Sequence, residues 1–111
     1  MAIPERGDLI WLTFDPQAGR EQAGRRPALV LSPREYNDKT PYCVVCPITS
    51  TVKGYSFEVR LPEDGVVSGA VLADQIKSVD RNARKIEVIG QAPQEVIESV
   101  AAKAVALIDT P

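Results

Sequence analysis

The sequence predicts a mainly β, α+β fold: a small barrel of five or six short strands with one helix at its C-terminal end. Three observations carry this expectation. Apolar residues alternate with period two in short segments separated by Pro, Gly, Asn and Asp clusters. Helical spacing is sustained over only one long segment, from Pro93 to about Leu107. Strands this short and this frequent bury their edges by curving the sheet round.

Taken in order, Gly7 to Phe14 is the first strand. Ile10, Leu12 and Phe14 alternate against Leu9, Trp11 and Thr13, which places Trp11 in the core at mid-strand. Asp15-Pro16 ends it. Pro27 to Leu31 forms the second strand, with Pro27 tolerated as its first residue, and Ser32-Pro33 closes it. Arg34 to Pro41 is polar and turn-rich, with one short helical turn. Tyr42 to Thr49 is the third strand, ending in the hydroxyl run Thr49-Ser50-Thr51. Lys53-Gly54 turns the chain, Ser56 to Leu61 alternates as a fourth strand, and Pro62 to Gly65 is a turn. Gly69 to Ile76 reads as a fifth strand ending in the polar pair Asp74-Gln75. Lys77 to Arg84 is a charged connection, Ile86 to Ile89 a sixth strand, and Gly90-Gln91-Ala92 a break. In the closing helix, Pro93 fits the first position and Glu95 meets the positive end of the dipole. Val96, Ile97, Val100, Ala101, Ala104 and Ile108 form one apolar stripe.

A chain of 111 residues, 44% hydrophobic and 25% charged, is one globular domain with enough exposed surface to make dimerisation an ordinary expectation. Met1 to Arg6 has no apolar core of a signal peptide and no run approaches a membrane span, so a cytoplasmic protein is expected. Cys43 and Cys46 are spaced C-x-x-C, but on a β-branched strand that spacing sends them to opposite faces. They are expected to be reduced structural cysteines rather than a metal or redox pair. Histidine is absent, which removes the commonest general base and transition-metal ligand.

The net charge of −2 argues against holding nucleic acid by bulk charge. The distribution qualifies this, because Arg20, Arg25 and Arg26 form one basic group and Lys77, Arg81, Arg84 and Lys85 a second. Together they would make a phosphate groove if the fold unites them. The segment Gly19-Arg20-Glu21-Gln22-Ala23-Gly24-Arg25-Arg26-Pro27 has the look of a site: a carboxylate and an amide between two glycines, then two guanidiniums at the mouth of an apolar strand. A guanidinium fixed there suits a phosphate.

Several blocks in order resemble the MazF/PemK family of toxin endoribonucleases: Gly7-Asp8-Leu9-Ile10-Trp11, Phe14-Asp15-Pro16, Glu21-Gln22-Ala23-Gly24, Arg26-Pro27-Ala28, Val30-Leu31-Ser32-Pro33, Tyr36-Asn37, Pro47-Ile48-Thr49, Lys53-Gly54-Tyr55 and Leu72-Ala73-Asp74-Gln75. The resemblance implies an SH3-like barrel of the PemK/CcdB type, a homodimer, and cleavage of single-stranded mRNA at short sequences with no metal and no cofactor. It also implies a MazE-like antitoxin that lays an acidic, extended C-terminal segment over the RNA groove. The family's catalytic arginine falls on Arg26, its catalytic threonine on Thr49, and its loop acid on Glu21. Arg20, Gln22, Arg25, Lys53, Asp74, Gln75, Lys77, Arg81 and Arg84 are the candidate RNA contacts. Arg25 stands where some members have histidine, and Asp80 to Arg84 lacks an aromatic that some relatives carry.

The chemistry asks little of the protein, because the ribose 2′-hydroxyl is the nucleophile. Arg26 and Thr49 would stabilise charge growing on the phosphoryl oxygens. Glu21 is either the base or the group that orients Arg25 or Arg26, since flanking arginines lower its pKa. The alternative is a CcdB-like inhibitor of DNA gyrase without nuclease activity. Its working residues would lie at the helix end, where Ala106 to Pro111 offers no aromatic tip.

Overall fold

The computed structural model describes residues 3–14 and 24–109. Among the described residues, seven strands form an antiparallel sheet: β1 (Asp8–Phe14), β2 (Gly24–Val30), β3 (Tyr42–Thr49), β4 (Glu58–Arg60), β5 (Ala70–Leu72), β6 (Lys77–Asp80) and β7 (Glu87–Gln91). Two helices join them, the short α1 (Arg34–Lys39) and the C-terminal α2 (Gln94–Ile108). Neighbouring strands run in the order β4-β5-β3-β2-β1-β7, with β6 also paired to β3. The path has two ends, β4 and β7, so the expected barrel is a curved sheet that stops short of closure.

β3 is the hub because it pairs with three strands. One edge pairs with β2, from Val30↔Val45 to Ala28↔Pro47. The other is shared, with β6 along Tyr42 to Val45 and β5 along Ile48 and Thr49. A 3-10 turn, Ala73–Gln75, carries the chain from β5 to β6 past the gap. The predicted fifth strand therefore ends at Leu72. Lys77 to Asp80, expected as a connection, is a strand that only its partner on β3 makes recognisable.

Alternation sorts the core into two clusters, one on each face. Leu9, Leu29, Cys46, Ile48 and Val71 lie with Val96, Ile97 and Val100 of α2. Ile10, Leu12, Phe14, Ala28, Val30, Cys43 and Val45 lie on the other face with Val79. Cys43 and Cys46 are accordingly free, buried and back to back. The stripe of α2 buries Val96, Ile97, Val100 and Ala104, and each larger side chain contributes about 1.5–3 kcal/mol by leaving water. Pro93 immediately precedes α2, and its carbonyl accepts the Val96 and Ile97 N–H groups at 3.0 and 3.2 Å.

Two sequence expectations change at β1 and β7. Gly90 and Gln91, read as a break, continue β7, because Leu9↔Gly90 and Asp8↔Gln91 pair across a bulge that separates them from Ile10↔Val88. Trp11, read as core, is 36% exposed. Its face of β1 is buried at Leu9, within the cluster that α2 completes, and that cover does not extend to Trp11. No helix among the described residues is long and apolar enough to cross a membrane.

Candidate active site

Arg25 and Arg26 lie within β2, and strand alternation sends them to opposite faces. Arg25, opposite Thr13, donates to Thr13 Oγ1 at 3.4 Å and to the Lys85 carbonyl at 3.1 Å, and lies 3.7 Å from the Glu87 carboxylate. Arg26, opposite Leu12, turns to the other side.

Two prolines lie beside Arg26, and only one of them interrupts the pairing of β2 with β3. The Leu31 N–H donates to the Val44 carbonyl at 2.8 Å. Because antiparallel bonding alternates along a strand, Pro27 presents its nitrogen toward β3, whereas Pro47 presents its nitrogen toward the opposite edge. Pro27 has no N–H to give Ile48, and the pairing of β2 with β3 ends at Ala28↔Pro47. Pro47 sits where the 3-10 turn separates β5 from β6, so its missing donor leaves no ladder bond unmade. Continuing the register by two residues sets Arg26 opposite Thr49, at the point where the strands are no longer bonded.

Arg26 and Thr49 line one open groove of about 580 Å³. Its other walls are the loop after β3 (Ser50, Thr51 and Lys53), the approach to β4 (Tyr55, Phe57 and Glu58), and Leu72, Asp74 and Gln75. Thr49 is only 8% exposed. Its Oγ1 accepts the Thr51 N–H at 3.1 Å, and its own hydrogen faces the Thr51 carbonyl at 3.5 Å. That second distance is long for a hydroxyl bond, so the hydrogen is available to a better acceptor in the groove.

The carboxylates have separate roles. Glu58 accepts the Gly54 N–H at 2.8 Å and the Lys53 N–H at 3.1 Å, which ties the loop bearing Lys53 to the first residue of β4. Asp74, on the 3-10 turn, has its pKa raised by partial burial and by the negative charge of Glu58, against a lowering hydrogen bond from its own backbone. Apart from Glu58, which the loop occupies, the groove thus offers the cations of Arg26 and Lys53, the Thr49 hydroxyl, the Gln75 amide and the Asp74 carboxylate. A phosphodiester fits the first three, and the polar edge of a base fits the others.

The fold brings Arg26, Thr49, Lys53, Asp74 and Gln75 together. Arg25 faces away. The Lys77 ammonium stands 5.4 Å from the centre of the Phe14 ring. The Arg81 guanidinium donates to the Thr40 carbonyl at 2.7 Å, tying the turn after β6 to the segment before β3. Arg84 lies in the same turn, where its backbone carbonyl accepts the Thr13 N–H at 2.9 Å. The second basic group therefore does not join Arg26 in this groove. Arg20, Glu21 and Gln22 lie outside the described residues. Sequence reasoning missed Tyr55, Phe57 and Glu58 as groove residues, although an aromatic pair flanking one residue after Lys53-Gly54 was a visible signal. It also missed a second hollow of about 350 Å³, in which Trp11 lies with Arg25, Arg26, Pro27, Ile48 and Val66.

The sequence pattern of a protein family described as a PemK-like, MazF-like toxin of type II toxin–antitoxin systems matches residues 5–108. The chain belongs to the PemK/MazF toxin family. Within it, this PemK/MazF chain is 48% identical over 109 residues to the endoribonuclease toxin MazF of Escherichia coli K12, covering 96% of this chain and 95% of that protein. It is 38% identical over 111 residues to the endoribonuclease toxin ChpB of the same organism, covering 95% of this chain and 94% of that protein. The crystal structure of MazF from Deinococcus radiodurans superposes with a TM-score of 0.92 at 50% identity, covering 97% of this chain and 98% of that one. A MazE–MazF crystal structure from the same organism gives 0.89 at 49% identity, covering 100% of both chains. The family and sheet-plus-helix fold expected from the sequence are both borne out.

Proposed function

We propose that this PemK/MazF toxin is an endoribonuclease that cuts single-stranded mRNA at short sequences, independently of metal and of the ribosome. The observation that carries the reading is the meeting of Arg26 and Thr49 in one groove where β2 and β3 cease to bond. Two curated relatives bearing the endoribonuclease name, at 48% and 38% identity, support the same activity.

In the step proposed, the ribose 2′-oxygen forms a bond to the adjacent phosphorus and loses its proton. The bond from phosphorus to the 5′-oxygen breaks, and that oxygen gains a proton. The products are a 2′,3′-cyclic phosphate and a 5′-hydroxyl. Arg26 binds the phosphoryl oxygens and matches their growing charge, and Thr49 donates its weakly held hydrogen to the same group. Glu21 accepts the 2′ proton or orients Arg25 or Arg26. Lys53, Asp74 and Gln75 hold the flanking nucleotides, and Arg20, Gln22, Arg25, Lys77, Arg81 and Arg84 are assigned to RNA outside the groove. Such a protein acts in the cytoplasm, where mRNA is.

Two partners belong to the proposal. A MazE-like antitoxin would lay an acidic C-terminal segment over the groove, a reading supported by the similar toxin crystallised with MazE. A second copy of the chain would form a homodimer, supported by the apolar residues Val105, Leu107 and Ile108 exposed at the end of α2.

The test is incubation of a long single-stranded RNA with purified protein in excess chelator, beside the same RNA carrying 2′-deoxyribose at each mapped cut. Cleavage of the first and sparing of the second are expected. Intact RNA in both lanes, with protein shown to be folded, would overturn the reading.

A further inference from the structure

The groove extends past the phosphate site to an aromatic pair that nothing in the proposed chemistry uses. Tyr55 and Phe57 stack with ring centres 5.3 Å apart and planes inclined by 29°. Both line the groove that holds Arg26 and Thr49, and Tyr55 is 52% exposed. Such a ring on a loose loop would be ordinary surface. This loop is held from three sides. The Glu58 carboxylate accepts the Lys53 and Gly54 N–H groups, and the Glu58 N–H returns to the Tyr55 carbonyl at 3.1 Å. Gly54 takes a φ of 81°, which its lack of a side chain permits. From α2, the Lys103 ammonium donates to the Ser56 carbonyl at 2.6 Å. Phe57, behind Tyr55, is fixed by its own carbonyl, which accepts the Ala73 N–H at 3.2 Å.

We propose that Tyr55, backed by Phe57, is a stacking platform for one unpaired nucleobase of the RNA whose phosphate lies at Arg26. The proposal deepens the nuclease reading and rests on it. A flat, half-exposed ring with a second ring beneath it gives a base a face to cover, and the ordering of the ring is complete before the base arrives. Asp74 and Gln75 follow directly on Ala73, the residue bonded to Phe57, so the edge of the stacked base meets a carboxylate and an amide. Glu58 is then a positioning residue, which acts through the loop and not on the substrate.

The experiment measures binding of an RNA oligomer that carries one mapped cut made uncleavable by 2′-deoxyribose, followed by fluorescence anisotropy. In a series of such oligomers, each nucleotide near the cut in turn is made abasic. Wild-type protein is expected to lose roughly five- to a hundred-fold in affinity when one particular base is removed. Tyr55→Ala should lose a similar factor on intact RNA and become indifferent to that base, whereas Tyr55→Phe should behave as wild type. Tyr55→Leu, which keeps apolar bulk without a π-face, serves if the alanine variant melts early, and should resemble alanine. Undiminished binding by these variants, or an unchanged abasic profile, would overturn the platform while cleavage by the wild type left the nuclease reading intact. Wild-type protein that cuts no RNA would overturn the nuclease reading itself, and the platform with it.

Discussion

Gly69 packs its bare α-carbon against the backbone of Thr49: its φ is 113°, and a methyl group there would overlap the Thr49 carbonyl oxygen. The close approach lets β5 pair with the end of β3, with Ala70 opposite Thr49 and Val71 opposite Ile48. The candidate catalytic hydroxyl is thus held from behind by a residue with no side chain.

Gly69→Ala should therefore lower both stability and cleavage. Strain at a positive φ and displacement of β3 together should cost about 1–3 kcal/mol in denaturant titration. Cleavage should fall further than the unfolded fraction accounts for, because the folded molecules carry a displaced Thr49. Cleavage that follows the folded fraction alone would detach Gly69 from the site.

Arg26→Lys keeps the charge and loses the planar fork. Cleavage should drop by about 10²–10³-fold, while binding to an uncleavable RNA changes only a few-fold. Thr49→Ser should retain most activity and Thr49→Val little, since only the first keeps a hydroxyl. Single-turnover rates beside anisotropy titrations separate the two effects.

Cys43 and Cys46 should be silent toward thiol reagents near pH 8 until the protein unfolds. Burial pushes their pKa values up to about 11 and about 12, with the Arg81 charge partly opposing the first and the Asp74 charge reinforcing the second. Above pH 9 the unfolded chain loses thiol protons that the folded chain retains, so stability should fall as pH rises from about 9 toward 11. A Cys43→Ala, Cys46→Ala variant should lose that alkaline decline, measured by thermal melts across the range.

Asp74 offers the same logic at acid pH. Its folded pKa is raised, so as pH rises through the carboxylate range the unfolded chain releases this proton more readily and the folded state is disfavoured. Asp74→Asn should melt slightly higher than wild type at neutral pH, with the difference vanishing in acid. Its exposure to solvent keeps the effect small. An equal difference at all pH values would assign it to packing instead of charge.

Much of the fold was legible where local pattern and burial coincide. β1, β3 and α2 each carry an apolar period that their neighbours complete. β6 was not legible, because Val79 is its only fully buried residue and its identity as a strand comes from pairing with Tyr42 to Val45, far away in the chain. Trp11 failed for the same reason: alternation names the face of a strand, but what covers that face comes from elsewhere in the chain, and the cluster over Leu9 does not include Trp11. At the site, Arg26 and Thr49 were legible as residue types in a motif, whereas Glu58 was not. Its role arises from backbone N–H groups of Lys53 and Gly54 converging on its carboxylate, which no spacing of side chains reveals.

Pro27 gives the cleft a property that charge would not. An opening held apart by electrostatic repulsion closes in salt, and one held apart by a bound molecule closes when that molecule leaves. An imino acid cannot be titrated, screened or displaced, so the strands that frame Arg26 and Thr49 stay unzipped in every buffer and in the absence of RNA. The protein meets its substrate with the space already made, and the entropy lost on association falls on the flexible nucleic acid rather than on the sheet.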